Sequence, residues 1–255
     1  MRRREKFVIS TIALSLAFFA IQYVSLDWRY WAIAGLSGLT YLVSSWALAD
    51  DLQFYERLTI IPLPTMYAGA VALFYFLLPE NLLSQLLVMI LFGIGLYALL
   101  LTGNIFSVAK GRTIQLLYAA SAIGFFLTLL TSLLFTNTIF SLRLPFWGNG
   151  LLIGLIHYPL VFMSLWSVNL DDFIAKDLLV YSLLISLFLA EFAALISLVP
   201  VPIWNASLFI TGLVYLVLGI LHSFLRGRLF RNTVVEYSLM GVLLAMLFLF
   251  FFPFK

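Results

Sequence analysis

The chain has 255 residues, of which 64% are hydrophobic and 10% are charged. An average soluble domain carries roughly 25% charged residues, so the composition excludes a soluble globular protein and indicates a surface that faces lipid. The formal net charge of +3 is concentrated in short segments between apolar runs, which indicates membrane topology rather than nucleic-acid binding.

The apolar runs predict an all-α, polytopic integral membrane bundle of about nine transmembrane helices. Lipid offers the backbone no hydrogen bonds, so a spanning segment is a helix or part of a closed barrel, and long continuous apolar runs favour helices. A basic start leads directly into the first run, and we interpret this run as an uncleaved first span. The spans of this single transmembrane domain are roughly 7–24, 30–49, 59–78, 83–102, 114–135, 147–168, 178–199, 204–225 and 234–252.

The basic residues give these spans a direction. With the N-terminus in the cytoplasm, eleven Lys and Arg residues lie inside, and only Arg29, Arg143 and Lys255 lie outside. Such a bias is typical of short loops in membrane proteins. The six Trp residues fall near predicted span ends, which agrees with this assignment. We therefore expect a multi-pass protein of the bacterial inner membrane whose C-terminus lies outside.

The sequence also indicates an internal duplication. Asp50, Asp51 and Glu56 recur 121 residues later as Asp171, Asp172 and Asp177, and Trp46 recurs 120 residues later as Trp166. An offset near 120 maps spans 1–4 onto spans 5–8. Because four is an even number, both copies point the same way, as in parallel transporter repeats. The predicted halves are 1–110 and 111–230, followed by a final helix over 234–252; chance resemblance between apolar segments is the alternative.

Two polar residues within predicted spans form the first candidate site. A carboxylate at the depth of Glu191 costs roughly 3 kcal/mol on insertion scales, so Glu191 should face protein or water. His157 lies in the preceding span and is the natural partner to suggest. Such a pair could relay a proton or bind a polar substrate group, or it could be a structural contact between helices.

The repeated acidic loops form the second candidate site. Their carboxylates could hold Mg²⁺ for phosphoryl or prenyl transfer, but each loop also has an adjacent cation, Arg57 or Lys176. Solvated helix caps with local ion pairs are therefore favoured, and no metal site is predicted. The candidate cytoplasmic clusters are Asp50, Asp51, Glu56, Asp171, Asp172 and Asp177.

Basic loops and small residues supply the remaining candidates. Anchoring at the cytoplasmic side is the favoured interpretation of the basic loops, and binding of anionic lipid or phosphate is the alternative. These basic residues are Lys110, Arg112, Arg226, Arg228 and Arg231. Close helix contacts are predicted at Gly150 with Gly154 and at Gly35 with Gly38. Pro62 and Pro64 are interpreted as span-end prolines, with a broken helix as the alternative.

Three functions remain open from the sequence. A small permease or transporter is weakly favoured because of the parallel repeat and the Glu191–His157 pair. The alternatives are a non-catalytic membrane subunit or scaffold of an envelope complex, and an intramembrane enzyme acting on a lipid or lipid-linked substrate. The absence of Cys excludes thiol chemistry. We expect no cofactor and no nucleic acid; the expected partners are the lipid bilayer and either other membrane proteins or a homo-oligomer.

Overall fold

The computed structural model describes residues 3–50, 52–53, 56–79, 81–109, 115–171 and 173–250. This part of the chain is 85% helix and contains no strand. Its ten helices are α1 (Arg3–Ile21), α2 (Arg29–Leu48), α3 (Glu56–Thr59), α4 (Pro62–Tyr75), α5 (Leu82–Val108), α6 (Gln115–Ser141), α7 (Phe146–Asn169), α8 (Lys176–Ser197), α9 (Ile203–Leu225) and α10 (Arg231–Phe250).

Seven helical segments are long and apolar enough to cross a membrane. They are the segment Glu56–Tyr75, which comprises α3 and α4, and the six helices α5 to α10. The prediction of an all-α multi-pass membrane bundle is confirmed at this level. Helices α1 and α2 occupy the first two predicted spans but do not belong to these seven. The count of nine spans therefore stays a prediction.

Helices α5 and α6 each have 27 residues and continue past their predicted ends at 102 and 135. The prediction stopped too early because polar residues begin there. In the structure these polar side chains, such as Ser107 on α5 and Asn137 on α6, are buried. Helix continuity depends on backbone hydrogen bonds, so a polar turn that packs against protein need not end a helix.

The third predicted span contains a break. Helix α3 ends at Thr59, two turn residues follow, and α4 begins at Pro62. Proline lacks the N–H that a helix interior requires, but it fits the first position of a new helix. The prolines therefore begin a second helix within this span, which is the broken-helix alternative rather than the favoured interpretation.

The first compact unit comprises Met1–Thr131, and its core is aromatic. Helix α1 packs against α2 and α5, and α4 packs against the same two helices. The Phe18 ring stacks on Phe92 with centroids 4.8 Å apart and meets Tyr75 edge-on. Gly95 leaves room for Tyr67, whose hydroxyl donates to the Leu91 carbonyl at 3.1 Å. This aromatic cluster ties together α1, α4 and α5.

The second compact unit comprises Ser132–Lys255, so the boundary falls within α6 rather than at the predicted repeat boundary of 110 and 111. Here α7 packs against α8, α9 packs against both, and α10 packs against α9. Under the predicted repeat, the pairings α7–α8, α8–α9 and α7–α9 correspond to α2–α4, α4–α5 and α2–α5 of the first unit. Among the described residues, the packing of α1 against α2 and α5 has no comparably extensive counterpart in α6 against α7 and α9, so the repeat stays a prediction.

The two predicted glycine contacts have different outcomes. A methyl group at Gly150 would lie 2.8 Å from the Ala190 carbonyl oxygen, and one at Gly154 would lie 3.1 Å from the Ala190 Cβ. The α7–α8 contact is therefore as close as predicted. By contrast, nothing lies within 4 Å of a methyl group at Gly35 or Gly38. The predicted close contact at Gly35 and Gly38 is wrong within this chain, because that side of α2 is exposed.

Candidate functional site

His157 is enclosed in the second unit and both of its ring nitrogens have partners. Nδ1 lies 2.8 Å from the Ile153 carbonyl oxygen, which can only accept, so Nδ1 carries the proton. Nε2 of the neutral ring therefore accepts from the Ser132 hydroxyl at 2.7 Å. The imidazole is 0% exposed. It joins α6 to α7 and has no capacity left for Glu191.

Glu191 lies on the exposed side of α8. Within the described residues its carboxylate has no hydrogen-bond or ion-pair partner. At about 1.5 Å per residue it lies about 9 Å from the Ser197 end of the helix and about 7 Å from the middle, so it is closer to the middle than to that end. The structure therefore does not bring Glu191 and His157 together, and the suggested pair is not formed.

The orientation of α8 explains this separation. Ala190 and Ala194 are one helical turn apart, and both lie against Gly150 of α7. Consecutive residues on a helix are rotated by about 100°, so Glu191 points away from the face that meets α7. The same close contact that holds α7 and α8 together keeps the carboxylate outside.

The first acidic loop is divided between two environments. Asp50 is exposed and its Oδ2 accepts from Lys6 Nζ at 2.6 Å. This hydrogen bond and the charge of Lys6 lower the pKa of Asp50 below its usual value. Glu56 is fully buried; its Oε2 accepts from the Ser107 hydroxyl at 2.9 Å and from the Gln53 backbone N–H at 2.8 Å. Asp51 lies outside the described residues.

Glu56 therefore has a structural part in the first unit. The Glu56 carboxylate accepts from the backbone N–H three residues earlier and so closes the turn that leads into α3. The bond to Ser107 fastens this turn to α5. Asp50 and Glu56 contribute to different contacts and do not form one acidic site.

The second acidic loop differs from the first. Trp166 is buried and its indole N–H donates to the Asp171 backbone oxygen at 3.2 Å. Trp46, its counterpart in the predicted repeat, is exposed beneath the Lys6 ammonium. Asp177 is exposed in the first turn of α8, and Asp172 lies outside the described residues. Within the described part of the chain, no group of three or more acidic or His side chains could hold a metal ion.

The basic candidates lie at the connection between α9 and α10. Arg226, Arg228 and Arg231 are all exposed there. Lys110 and Arg112 lie outside the described residues. Nearby, His222 Nε2 lies 3.1 Å from both the hydroxyl and the carbonyl oxygen of Ser164, and so joins α9 to α7.

The sequence did not predict a cavity of about 780 Å³ at one end of the second unit. The carboxyl ends of α6 and α8 and the amino ends of α7 and α9 surround it, and its polar lining includes Arg143, Asn149 and Ser197. The Asn149 amide Nδ2 donates to the Leu144 oxygen at 3.3 Å and to Ser197 Oγ at 3.0 Å. A lone Asn one turn into an apolar helix was the available signal.

The Asn149 side chain is 4% exposed, and its Oδ1 has no hydrogen-bond partner among the described residues. Leaving a buried acceptor unsatisfied costs about 1–3 kcal/mol. The amide is not simply reversed, because both partners of Nδ2 are acceptors: Ser197 Oγ already donates to the Ala193 oxygen at 2.7 Å. The unsatisfied Asn149 oxygen is itself buried behind the cavity wall, whereas Arg143 is the exposed cation of the lining.

No protein-family model, curated protein or solved structure matches the chain.

Proposed function

We propose that the protein is a non-catalytic membrane subunit or scaffold that binds a helix of another membrane protein along the outer face of α8. The observation that carries this proposal is the exposed Glu191 within an apolar spanning helix. A carboxylate facing lipid at this depth costs up to roughly 3 kcal/mol. A protein partner that offers a hydrogen bond or a positive charge would remove that cost.

The residues around Glu191 have the spacing of a helix-packing face. Steps of three and four residues connect the members of this face, as in the seam between two helices that pack at a shallow angle. We call it the α8 stripe. Its exposed members are Val180, Leu184, Leu187, Glu191, Leu195 and Leu198.

Charge complementarity favours a different protein over a second copy. All 14 Lys and Arg residues of this chain lie at predicted span ends or in loops, so a second copy offers no cation at the depth of Glu191. Its mid-helix imidazole, His157, is enclosed and fully hydrogen-bonded. The proposed partner is therefore a membrane helix of another protein with a Lys, Arg, Asn or Gln side chain facing Glu191.

Site-specific cross-linking tests this proposal directly. The chain has no Cys, so Leu187→Cys creates a single thiol on the α8 stripe, to which a benzophenone can be attached before irradiation of native membranes. We expect one membrane protein to be captured, and we expect Glu191→Leu to abolish its capture. The matched probe is Leu243→Cys on α10, which is similarly exposed. The matched carboxyl control is Glu236→Gln, which should change nothing.

Three results would overturn the proposal. One is a cross-link between two copies of this chain, which would assign the α8 stripe to a homo-oligomer. Another is equal capture by the probes at 187 and 243. The third is capture that persists unchanged in Glu191→Leu, because the carboxylate would then have no part in binding.

The permease favoured by the sequence has less geometric support. It requires Glu191 to line a polar cavity, whereas Glu191 lies on the exposed side of α8 among apolar side chains. The enzyme alternative requires clustered carboxylates, whereas Asp50 and Glu56 have separate partners. Uptake measured in vesicles containing the purified protein would test the permease, and transport abolished by Glu191→Gln would favour it over the subunit.

We further propose the finer topology expected from the sequence: nine spans, a cytoplasmic N-terminus and an outside C-terminus in a bacterial inner membrane. The positive-inside bias supports this arrangement, and the matching helix pairings of the two units support the internal duplication. Single Cys residues at positions 27 and 228 provide a test with a membrane-impermeant thiol reagent. Labelling from outside is expected at 27 only, and the reverse pattern would invert the topology.

A further inference from the structure

We infer that the cavity at the end of the second unit binds the head group of a phospholipid, with Arg143 on the phosphate. This inference is independent of the α8 stripe, since the cavity and the stripe have different lining residues. It is also independent of the predicted topology, because both membrane surfaces carry head groups.

The backbone at Arg143 supports a binding function for its side chain. Arg143 follows the last turn of α6 with φ of 51°, and its N–H donates to the Phe140 oxygen at 3.2 Å. Glycine is the usual residue in this left-handed position after a helix, because a side chain is strained there. The fold alone would therefore favour glycine, whereas the chain has a guanidinium at the cavity.

The helices around the cavity strengthen its affinity for an anion. Pro145 and Pro202 precede α7 and α9, and neither helix has a side-chain hydrogen bond capping its amino end. Both amino ends contribute to the cavity wall and carry partial positive charge from the peptide dipoles. Together with the Arg143 guanidinium, they provide a setting for a phosphate group.

Asn149 holds the start of α7 in place beside the cavity. Its Nδ2 donates to the Leu144 oxygen and to Ser197 Oγ, while its Oδ1 is buried and does not face the cavity. Asn149 therefore positions the wall, and Arg143 is the side chain that meets the phosphate.

The source of the phosphate follows from the rest of the lining. Most of the remaining wall is apolar, including Phe140, Ile196 and Ala206. Cavities of roughly 300–1,000 Å³ with apolar walls and a few polar groups are typical ligand sites. The cavity lies at the ends of candidate membrane-spanning helices, where lipid head groups lie if these helices cross the bilayer. A lipid therefore fits this wall better than a soluble anion.

The test measures lipid retention on the full chain by native mass spectrometry from nanodiscs of defined composition. We expect phospholipids to be retained over diacylglycerol, which has the acyl chains but no phosphate. Arg143→Gly should weaken retention about tenfold or more, as expected for loss of a charge-assisted hydrogen bond. Arg228→Gln, which removes an exposed arginine elsewhere, should retain wild-type binding.

The same Arg143→Gly variant separates binding from folding. Because glycine relieves the left-handed strain, its melting temperature without added lipid should rise by about 2–4 °C even as affinity falls. Unchanged retention in Arg143→Gly would overturn the inference. So would displacement of bound lipid by millimolar inorganic phosphate, which would assign the cavity to a soluble anion.

Discussion

One polar side chain stands within an apolar stretch of each of the helices α7 and α8, namely His157 in α7 and Glu191 in α8. The structure places these two side chains in opposite environments. His157 is enclosed and both ring nitrogens are hydrogen-bonded. Glu191 is exposed and has no partner within the described residues. A polar group within a span needs a partner because lipid does not solvate it, but this need does not determine on which side of the helix the partner lies.

Small residues decide the difference. Gly150 and Gly154 allow Ala190 to approach α7 closely, and this contact fixes the rotation of α8 about its axis. The residue after Ala190 then has to point elsewhere. The polar group inside the unit is therefore structural, whereas the one outside it is available to another molecule.

The largest expected effect comes from breaking the contact that maintains this arrangement. Gly150→Leu places a side chain where even a methyl group would lie 2.8 Å from the Ala190 oxygen, so α7 and α8 must separate or rotate. Overpacking of this kind costs about 3 kcal/mol or more. Thermal unfolding of the detergent-solubilised protein measures the loss. The matched control is Gly35→Leu, where nothing lies within 4 Å; a similar loss in both variants would refute the packing argument.

The next largest loss of stability is expected from breaking the hydrogen bond of the buried His157. Ser132→Ala leaves the His157 Nε2 acceptor buried without its donor, which should destabilise the second unit by about 2 kcal/mol. His157→Leu should cost a similar amount, because it leaves the Ser132 hydroxyl unpaired. The double variant should lose less than the sum of the two single losses. Additive losses in this double-mutant cycle would mean that the hydrogen bond contributes nothing.

The stability of the purified protein should depend little on the exposed Glu191 side chain. Replacing Glu191 with Leu removes no hydrogen bond or ion pair among the described residues, so stability in detergent should change by less than about 0.5 kcal/mol. The contrast with His157→Leu makes this informative, since both variants replace a polar residue with Leu. A loss of about 2 kcal/mol for Glu191→Leu would indicate that the carboxylate supports the fold, and it would remove the basis for the α8 stripe as a binding face.

Part of this arrangement could be predicted from the sequence, and part of it could not. Hydropathy predicted the helices, because burial in lipid depends on composition along the chain. The glycine pair in α7 was predicted as a contact, and its partners in α8, Ala190 and Ala194, are also visible in the sequence. Together they could have predicted that Glu191 faces outward. The pairing of His157 with Ser132 could not be predicted, because it depends on the packing of α6 against α7.

The cavity was beyond sequence-based prediction for a similar reason. It forms where the connections after α6 and α8 meet the starts of α7 and α9. No periodicity in the sequence indicates that Arg143 adopts a left-handed conformation or that Ser197 contacts Asn149. Hydropathy locates the helices along the sequence. This site depends instead on which helix ends are neighbours in the folded structure.

The smallest effect concerns a carboxylate that lies outside the helices. Asp50 has a lowered pKa because Lys6 donates a hydrogen bond to it and adds a positive charge. A depressed pKa means that this contact stabilises the folded state above the ordinary carboxyl value near 3.8, and that the stabilisation is lost as pH falls through the lowered value. Lys6→Gln should therefore shift the Asp50 pKa upward, measured by carboxyl NMR, while Arg57→Gln should not. Equal pKa values for Asp50 in the wild type and Lys6→Gln would show that water, rather than the ion pair, sets its titration. Asp50 would then be governed by solvent, in contrast to His157, whose partners are fixed by packing.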